Sequence, residues 1–179
     1  MQNSKPFLQS LLAMFVLWSA LLTSSPVFAI QPATGVGLNS NDLYKEKIDY
    51  TLTNQNAADF HDQDLTNTSF AGAVARGADF QGADLHGSIL TQGTFTSASF
   101  KGADLSDALM DRADFMDTDL RDAVLIEVIA SGSSFAGAKI NGADFTDALL
   151  DREDQRKLCR IAEGVNSHTG VSTFDSLEC

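Results

Sequence analysis

The chain has 179 residues, with 12 basic against 24 acidic side chains and a formal net charge of −12. That sign argues against nonspecific binding to nucleic acid or to anionic lipid, both of which need a cationic surface.

Residues 1–29 carry one charged side chain, Lys5. Leu11 to Leu22 is apolar apart from one Ser, and Thr23-Ser24-Ser25-Pro26 then breaks the run. Val27-Phe28-Ala29 places small residues at the minus-three and minus-one positions. This pattern predicts a secretory signal peptide cleaved after Ala29, because the apolar run is too short for a comfortable membrane span. No twin arginine is present, so a Sec-type route is expected. Without Lys5 the mature chain keeps 11 basic and 24 acidic residues. No later stretch is apolar enough to span a bilayer, so the mature chain is expected to be soluble, with no membrane contact. Its length, about 150 residues, suits one domain.

Residues 30–57 are expected to form a linker and an N-terminal cap. Gln31 to Gly37 is rich in small residues and breakers. Leu43 to Ile48 suggests a short helical turn, and Tyr50 to Thr53 leads toward the segment that begins at Ala58.

Residues 58–152 carry the dominant pattern. Every fifth residue from Phe60 to Leu150 is apolar, through Leu65, Phe70, Ala75 and Phe80 and onward without a break. Two residues earlier in each unit stands a small residue, with Gln63 and Val128 as exceptions. Five residues on an α-helix rotate about 500°, so the apolar set would spiral round the axis. Five is odd, so on a flat strand the set would alternate between faces. The pattern buries its apolar residues only if the chain turns a corner once per unit, which describes a coiling solenoid. The central side chains fill the axis, leaving little more than a methyl's room at the second inward position. The glycines at 72, 77, 82, 87, 102, 132, 137 and 142 share one repeat position and are read as corners, where a positive φ is useful.

Units such as Ala78-Asp79-Phe80-Gln81-Gly82, Ala83-Asp84-Leu85-His86-Gly87 and Ala103-Asp104-Leu105-Ser106-Asp107 resemble pentapeptide repeats, A(D/N)LXX. The resemblance implies an all-β solenoid: a right-handed quadrilateral β-helix with four units per coil, hence almost five coils over 58–152.

Residues 153–179 are expected to form a small α-helical C-terminal cap, since a solenoid needs its end covered. Asp151 can act as N-cap, with Glu153 and Asp154 in the first turn and Lys157 and Arg160 later, the charge order a helix prefers. Leu158, Ile161 and Ala162 would form its apolar face. Ser167 to Gly170 reads as a turn and Thr173 to Leu177 as a second short helix. The two cysteines, Cys159 and Cys179, suggest one disulfide in an exported chain, a structural staple or a redox switch. Leu150 to Cys159, Thr169 to Thr173 and Ser176 to Cys179 resemble the C-terminal cap of lumenal pentapeptide-repeat proteins of cyanobacteria and plastids. The chain has Asn166-Ser167 where that group usually has Asn-Pro. The short bacterial-type leader favours a cyanobacterium.

Residues twenty apart should stack on one face. Asp64, Asp84, Asp104 and Asp144 then form an acidic ladder interrupted by Val124. They are read as corner side chains bonding to backbone, with weak cation binding as the alternative. Ile89, Leu109, Ile129 and Leu149 occupy the outward position of another face, with Ile126 and Val124 adding apolar surface beside it. Such a column on a surface marks a contact. The expected cover is residues 41–57, with a homodimer or another protein as the alternative.

His61, His86 and His168 do not cluster with cysteine at metal-ligand spacing. No phosphate-binding glycine loop, HExxH or nucleophile elbow occurs. The expectation is therefore no enzyme, no cofactor, no metal and no nucleic-acid partner. The predicted function is an exported binding or structural module of the thylakoid lumen or periplasm, monomeric or homodimeric, with an unknown protein partner. The rivals are an acidic nucleic-acid mimic that binds a DNA-processing enzyme, as some cytosolic members of the resembled family are, and a lumenal redox-regulated protein.

Overall fold

The computed structural model describes residues 48–179. The leader expected over 1–29 and the stretch 30–47, which holds most of the helical turn expected over Leu43 to Ile48, lie outside them.

From Ile48 onward the chain repeats one motif: an outward bridge residue, an inward residue, a two-residue turn and a second inward residue. Each bridge residue pairs in parallel with the residue twenty positions on, from Asp49↔Ser69 to Ile129↔Leu149 without a gap. Four units therefore return the chain to the same side, so the coil is four-sided. Its hydrogen bonds run between coils: Phe60 N donates to Asp79 O at 2.7 Å and Asp79 N to Ala58 O at 2.9 Å. Each corner closes locally, as where Ala83 N donates to Phe80 O at 3.1 Å.

The third residue of each corner has positive φ, as a type II turn requires. Gly82 sits there with φ +66°, and a Cβ on it would lie 2.2 Å from Asp62 Oδ1 of the coil below. The Asp62 side chain is exposed and can turn away, so φ is what favours glycine at this corner. Non-glycine residues also occupy the position, among them Asn67 at 53° and Ser97 at 60°, each against an intrinsic cost of about 1–2 kcal/mol.

The central residues from Phe60 to Phe145 are all buried. Their rings stack coil on coil along separate sides. Phe60, Phe80 and Phe100 are spaced 4.8 and 4.7 Å apart, and Phe95, Phe115 and Phe135 are spaced 5.2 and 5.5 Å. Edge contacts such as Phe70 on Phe80 at 5.5 Å join the stacks across the axis, a geometry the ring quadrupole favours. The small residues two positions earlier lie in the same core, Ala73, Ala103 and Ala108 with no exposure. Val128 is fully buried, whereas Gln63 turns outward and its Nε2 donates to Asp59 O.

The coil starts earlier than residue 58. Residues 48–57, read from sequence as the end of the linker and cap, hydrogen-bond as coil: Tyr50 N donates to Ser69 O at 2.8 Å and Gln55 N to Val74 O at 2.7 Å. Tyr50 also stacks on Phe70 with centroids 4.7 Å apart. Tyr50 and Gln55 escape the five-residue pattern because a first coil has a coil neighbour on one side only, which relaxes the demand for an apolar side chain.

Two helices follow the coil, α1 at Arg152–Cys159 and α2 at Thr173–Ser176. Asp151 precedes α1 but does not cap it. Its Oδ2 instead accepts from Gly132 N at 2.9 Å. In lower coils that corner amide donates to a carbonyl of the coil above, as Arg112 N does to Ser131 O; at Gly132 the carboxylate takes that place. Leu158 and Leu177 join the coil's core. Ala162 is partly buried against it, while Ile161 is exposed at the edge of a depression shared with Phe135 and Ala136. Ser172 caps α2 by accepting from Asp175 N at 3.1 Å. Cys159 and Cys179 are joined in a disulfide. No helix among the described residues is long and apolar enough to cross a membrane.

Candidate interaction surfaces

The outward position of each side is where the coil can meet anything else. On one side the ladder runs Asp49, Ser69, Ile89, Leu109, Ile129, Leu149. Ile89, Leu109 and Leu149 are 36, 37 and 59 % exposed, and Ile129 is half-buried. Of the expected cover, residues 48–57 do not lie over this column. They form the coil at its base, because Asp49 pairs with Ser69 in the same ladder. Residues 41–47 lie outside the described residues. Val124 and Ile126 are half-buried on the neighbouring side.

The acidic ladder is present as backbone register: Asp64↔Asp84↔Asp104↔Val124↔Asp144. Its carboxylates are turned onto the corners. Asp64 Oδ1 accepts from Thr66 N at 3.2 Å, Asp84 Oδ1 from His86 N at 3.1 Å, and Asp104 Oδ1 from Ser106 N at 2.9 Å. Asp144 Oδ1 accepts from both the amide and the hydroxyl of Thr146, at 2.9 and 2.6 Å. Asp59, Asp79, Asp114 and Asp119 do the same on other sides, so the bond belongs to the turn rather than to this ladder. The four are not equivalent. Asp64 and Asp84 are exposed, while Asp144 is fully buried and its Oδ2 has no hydrogen-bond partner among the described residues. Asp84, Asp104 and Val124 line a shallow depression with His168. No group of three or more His, Cys, Asp or Glu among the described residues is placed to hold a metal ion.

Sequence reasoning missed the residue that ties the C-terminal segment to the coil. Asn166 is buried, and its Nδ2 donates to Asp122 O, Ala123 O and Gly142 O at 3.2, 3.1 and 2.8 Å. Its Oδ1 accepts from His168 N and Thr169 N at 2.9 and 3.0 Å. One side chain thus fixes both the turn that carries it and the corner beneath. The signals were Asn in a turn context and its place in the Asn166-Ser167 pair, where the resembled group has Asn-Pro, but neither assigned the side chain a role. Ser176 adds a second tie, with Oγ accepting from Phe145 N at 3.0 Å.

A depression of about 230 Å³ lies between the last coil and this segment, lined by Leu149, Leu150, Gln155 and Leu177 among others, with Asp147 and Glu178 beside them. It adjoins the upper end of the apolar column through Leu149. Ser176 also lines this depression, with its Oγ accepting from Phe145 N and donating to Thr173 O.

A four-sided coil of twenty residues is shared by known structures. A pentapeptide repeat protein from the Arabidopsis thaliana thylakoid lumen superposes with a TM-score of 0.72 at 35 % identity, covering 73 % of this chain and 90 % of that one. The chain belongs to the pentapeptide-repeat family. The family model, described as pentapeptide repeats, matches in eight copies over residues 56–92 and 113–152; the intervening residues continue the same ladder. Two pentapeptide repeat structures share the fold at lower identity. QnrB1, a plasmid-mediated fluoroquinolone resistance protein, has a TM-score of 0.55 at 22 % identity over 59 % of this chain and 50 % of its own. A protein from Nostoc PCC 7120 has a TM-score of 0.51 at 21 % identity over 57 % of this chain and 84 % of its own. No curated protein matches the chain. Pentapeptide-repeat proteins form right-handed quadrilateral β-helices and are generally structural or binding modules.

Proposed function

We propose that this pentapeptide-repeat protein is an exported, non-enzymatic binding or structural module of the thylakoid lumen or periplasm. The observation that carries the reading is the 35 % identity to a lumenal relative across 73 % of the chain. The apolar run and small-residue site of Met1 to Ala29 agree with it, as does a disulfide, which persists in oxidising compartments. In this reading residues 1–29 are a leader, the β-helix is the working surface, and residues 153–179 cap its end. The cap keeps the last coil from presenting an open edge, and the disulfide is its staple.

Fractionation of the native cell, followed by N-terminal sequencing, tests the proposal. The expected result is a chain starting at Ile30, recovered from an extracytoplasmic compartment with both cysteines blocked to alkylation. Full-length protein in the cytosol would overturn it, and would return acidic nucleic-acid mimicry to consideration.

A further inference from the structure

The apolar column has one acidic border and one mixed border. On the first the corner residues Asp107, Glu127 and Asp147 are exposed; on the second Asp111 and Asp151 stand beside the exposed Arg112 and Arg152. Among the described residues no ion pair engages Glu127 or Asp147, and Asp107 meets only His86 Nδ1 at 3.7 Å. Members of a parallel ladder lie about 4.8 Å apart, so the four aliphatic residues make a strip roughly 15 Å long. At its upper end Leu149 leads into the depression beside Leu150, where Asp147 and Glu178 stand at hand.

We propose that this face receives an amphipathic segment of a partner protein: a short row of aliphatic side chains with Lys or Arg along the edge that meets Asp107, Glu127 and Asp147, and one apolar side chain lodged beside Leu150. The strip rewards apolar contact, and its acidic border rewards cations that stay at the rim. A second copy of this chain is disfavoured by area, since a strip about 15 Å by 10 Å falls well short of the roughly 800 Å² per partner of a stable dimer. An anionic membrane is repelled by the acidic border. The inference rests on the binding-module reading and adds the class of partner.

The test titrates the chain recovered after export with a fluorescent amphipathic peptide of about 14 residues built from Leu and Lys, using anisotropy at about 50 and 300 mM salt. Its Leu/Glu counterpart and an oligolysine serve as controls. The Leu/Lys peptide is expected to bind at least about tenfold more tightly than either control. Leu109→Lys with Ile129→Lys should remove that advantage. The milder pair Leu109→Asn with Ile129→Thr should weaken binding even if the Lys pair fails to fold. Glu127→Gln with Asp147→Asn should weaken binding about threefold to tenfold and flatten its salt dependence. Lys101→Ala, on another side, should change nothing. Equal binding of oligolysine, indifference to the column substitutions, or no binding by the folded chain would overturn the proposal. So would a dimer that the column substitutions dissociate. Cytosolic retention would sink the compartment reading yet leave the titration measurable; a null titration on exported protein sinks the surface assignment alone.

Discussion

Asn166 offers the sharpest test of how the C-terminal segment is held. Asn166→Ala deletes, at a buried site, an amide whose two N–H groups are shared among three carbonyls and whose oxygen accepts two hydrogen bonds. Ala123 O retains Asp144 N as a donor at 3.0 Å, so its loss is small. Asp122 O and Gly142 O lose the Nδ2 donor, and the amides of His168 and Thr169 lose their acceptor. A buried group left unsatisfied costs about 1–3 kcal/mol, less where a loop can relax toward water. The expected destabilisation is therefore about 2–4 kcal/mol, far above an ordinary surface change. Asn166→Asp discriminates further. It keeps an acceptor for the two loop amides but turns an oxygen toward three carbonyl oxygens, so it should cost at least as much as Ala. Protonation restores one donor, so the Asp variant should recover part of the loss in acid while the Ala variant does not. Denaturant unfolding gives the magnitude, and amide exchange gives the location, since a repeat protein can open at one end before it unfolds as a whole. Protection should fall first over residues 164–177. Both variants unfolding within about 0.5 kcal/mol of the parent, with unchanged exchange, would refute the role assigned to this side chain.

Other substitutions probe the coil, the corners, the staple and one ion pair. Phe100→Asp places a carboxylate against the stacked ring of Phe80 and the edge-on rings of Phe95 and Phe115 and should abolish cooperative unfolding. A parent-like melt would contradict the inward assignment. Gly102 has open space where a Cβ would stand, so Gly102→Ala should cost only the backbone strain, about 1 kcal/mol. The converse, Ser97→Gly at φ 60°, should stabilise by roughly 0.5–1 kcal/mol; equal melting temperatures for the pair would count against the corner rule. Cys159→Ser opens a loop with a sequence separation of 20 and should cost about 3 kcal/mol in the chain-entropy model. The Arg121 guanidinium, whose Nε donates to Asp119 Oδ1 at 2.8 Å, holds the Asp119 carboxyl below its ordinary value. A carboxyl lowered in the fold contributes stability that is present above its unfolded value, about 3.9, and lost as pH falls through the folded one. Asp119→Asn should therefore flatten the acid limb of the stability profile slightly below about pH 4, slightly because the pair is largely solvated.

The five-residue period was enough by itself to establish a coiled chain, because only a corner in every unit puts nineteen consecutive apolar positions on one interior. Register needed more than the period: four units per coil is what the resemblance to pentapeptide repeats implies, and with it residues twenty apart share a side, so that Ile89, Leu109, Ile129 and Leu149, and the four Asp residues, are expected to stack. What the pattern could not reach were contacts with no period. Tyr50 and Gln55 lie inside the first coil although neither fits the repeat, because an end coil tolerates what a middle one rejects. Asp151 sits where a helix cap belongs, yet its carboxylate serves Gly132, an amide over which no further coil closes. Asn166 reaches carbonyls more than forty residues away in sequence, and Asp144 is buried while Asp64 in the same ladder stays exposed. Local repetition determines where each side chain points in the coil. Where the repeat stops, only tertiary structure decides which polar groups meet, since each must find a partner that no neighbouring coil supplies.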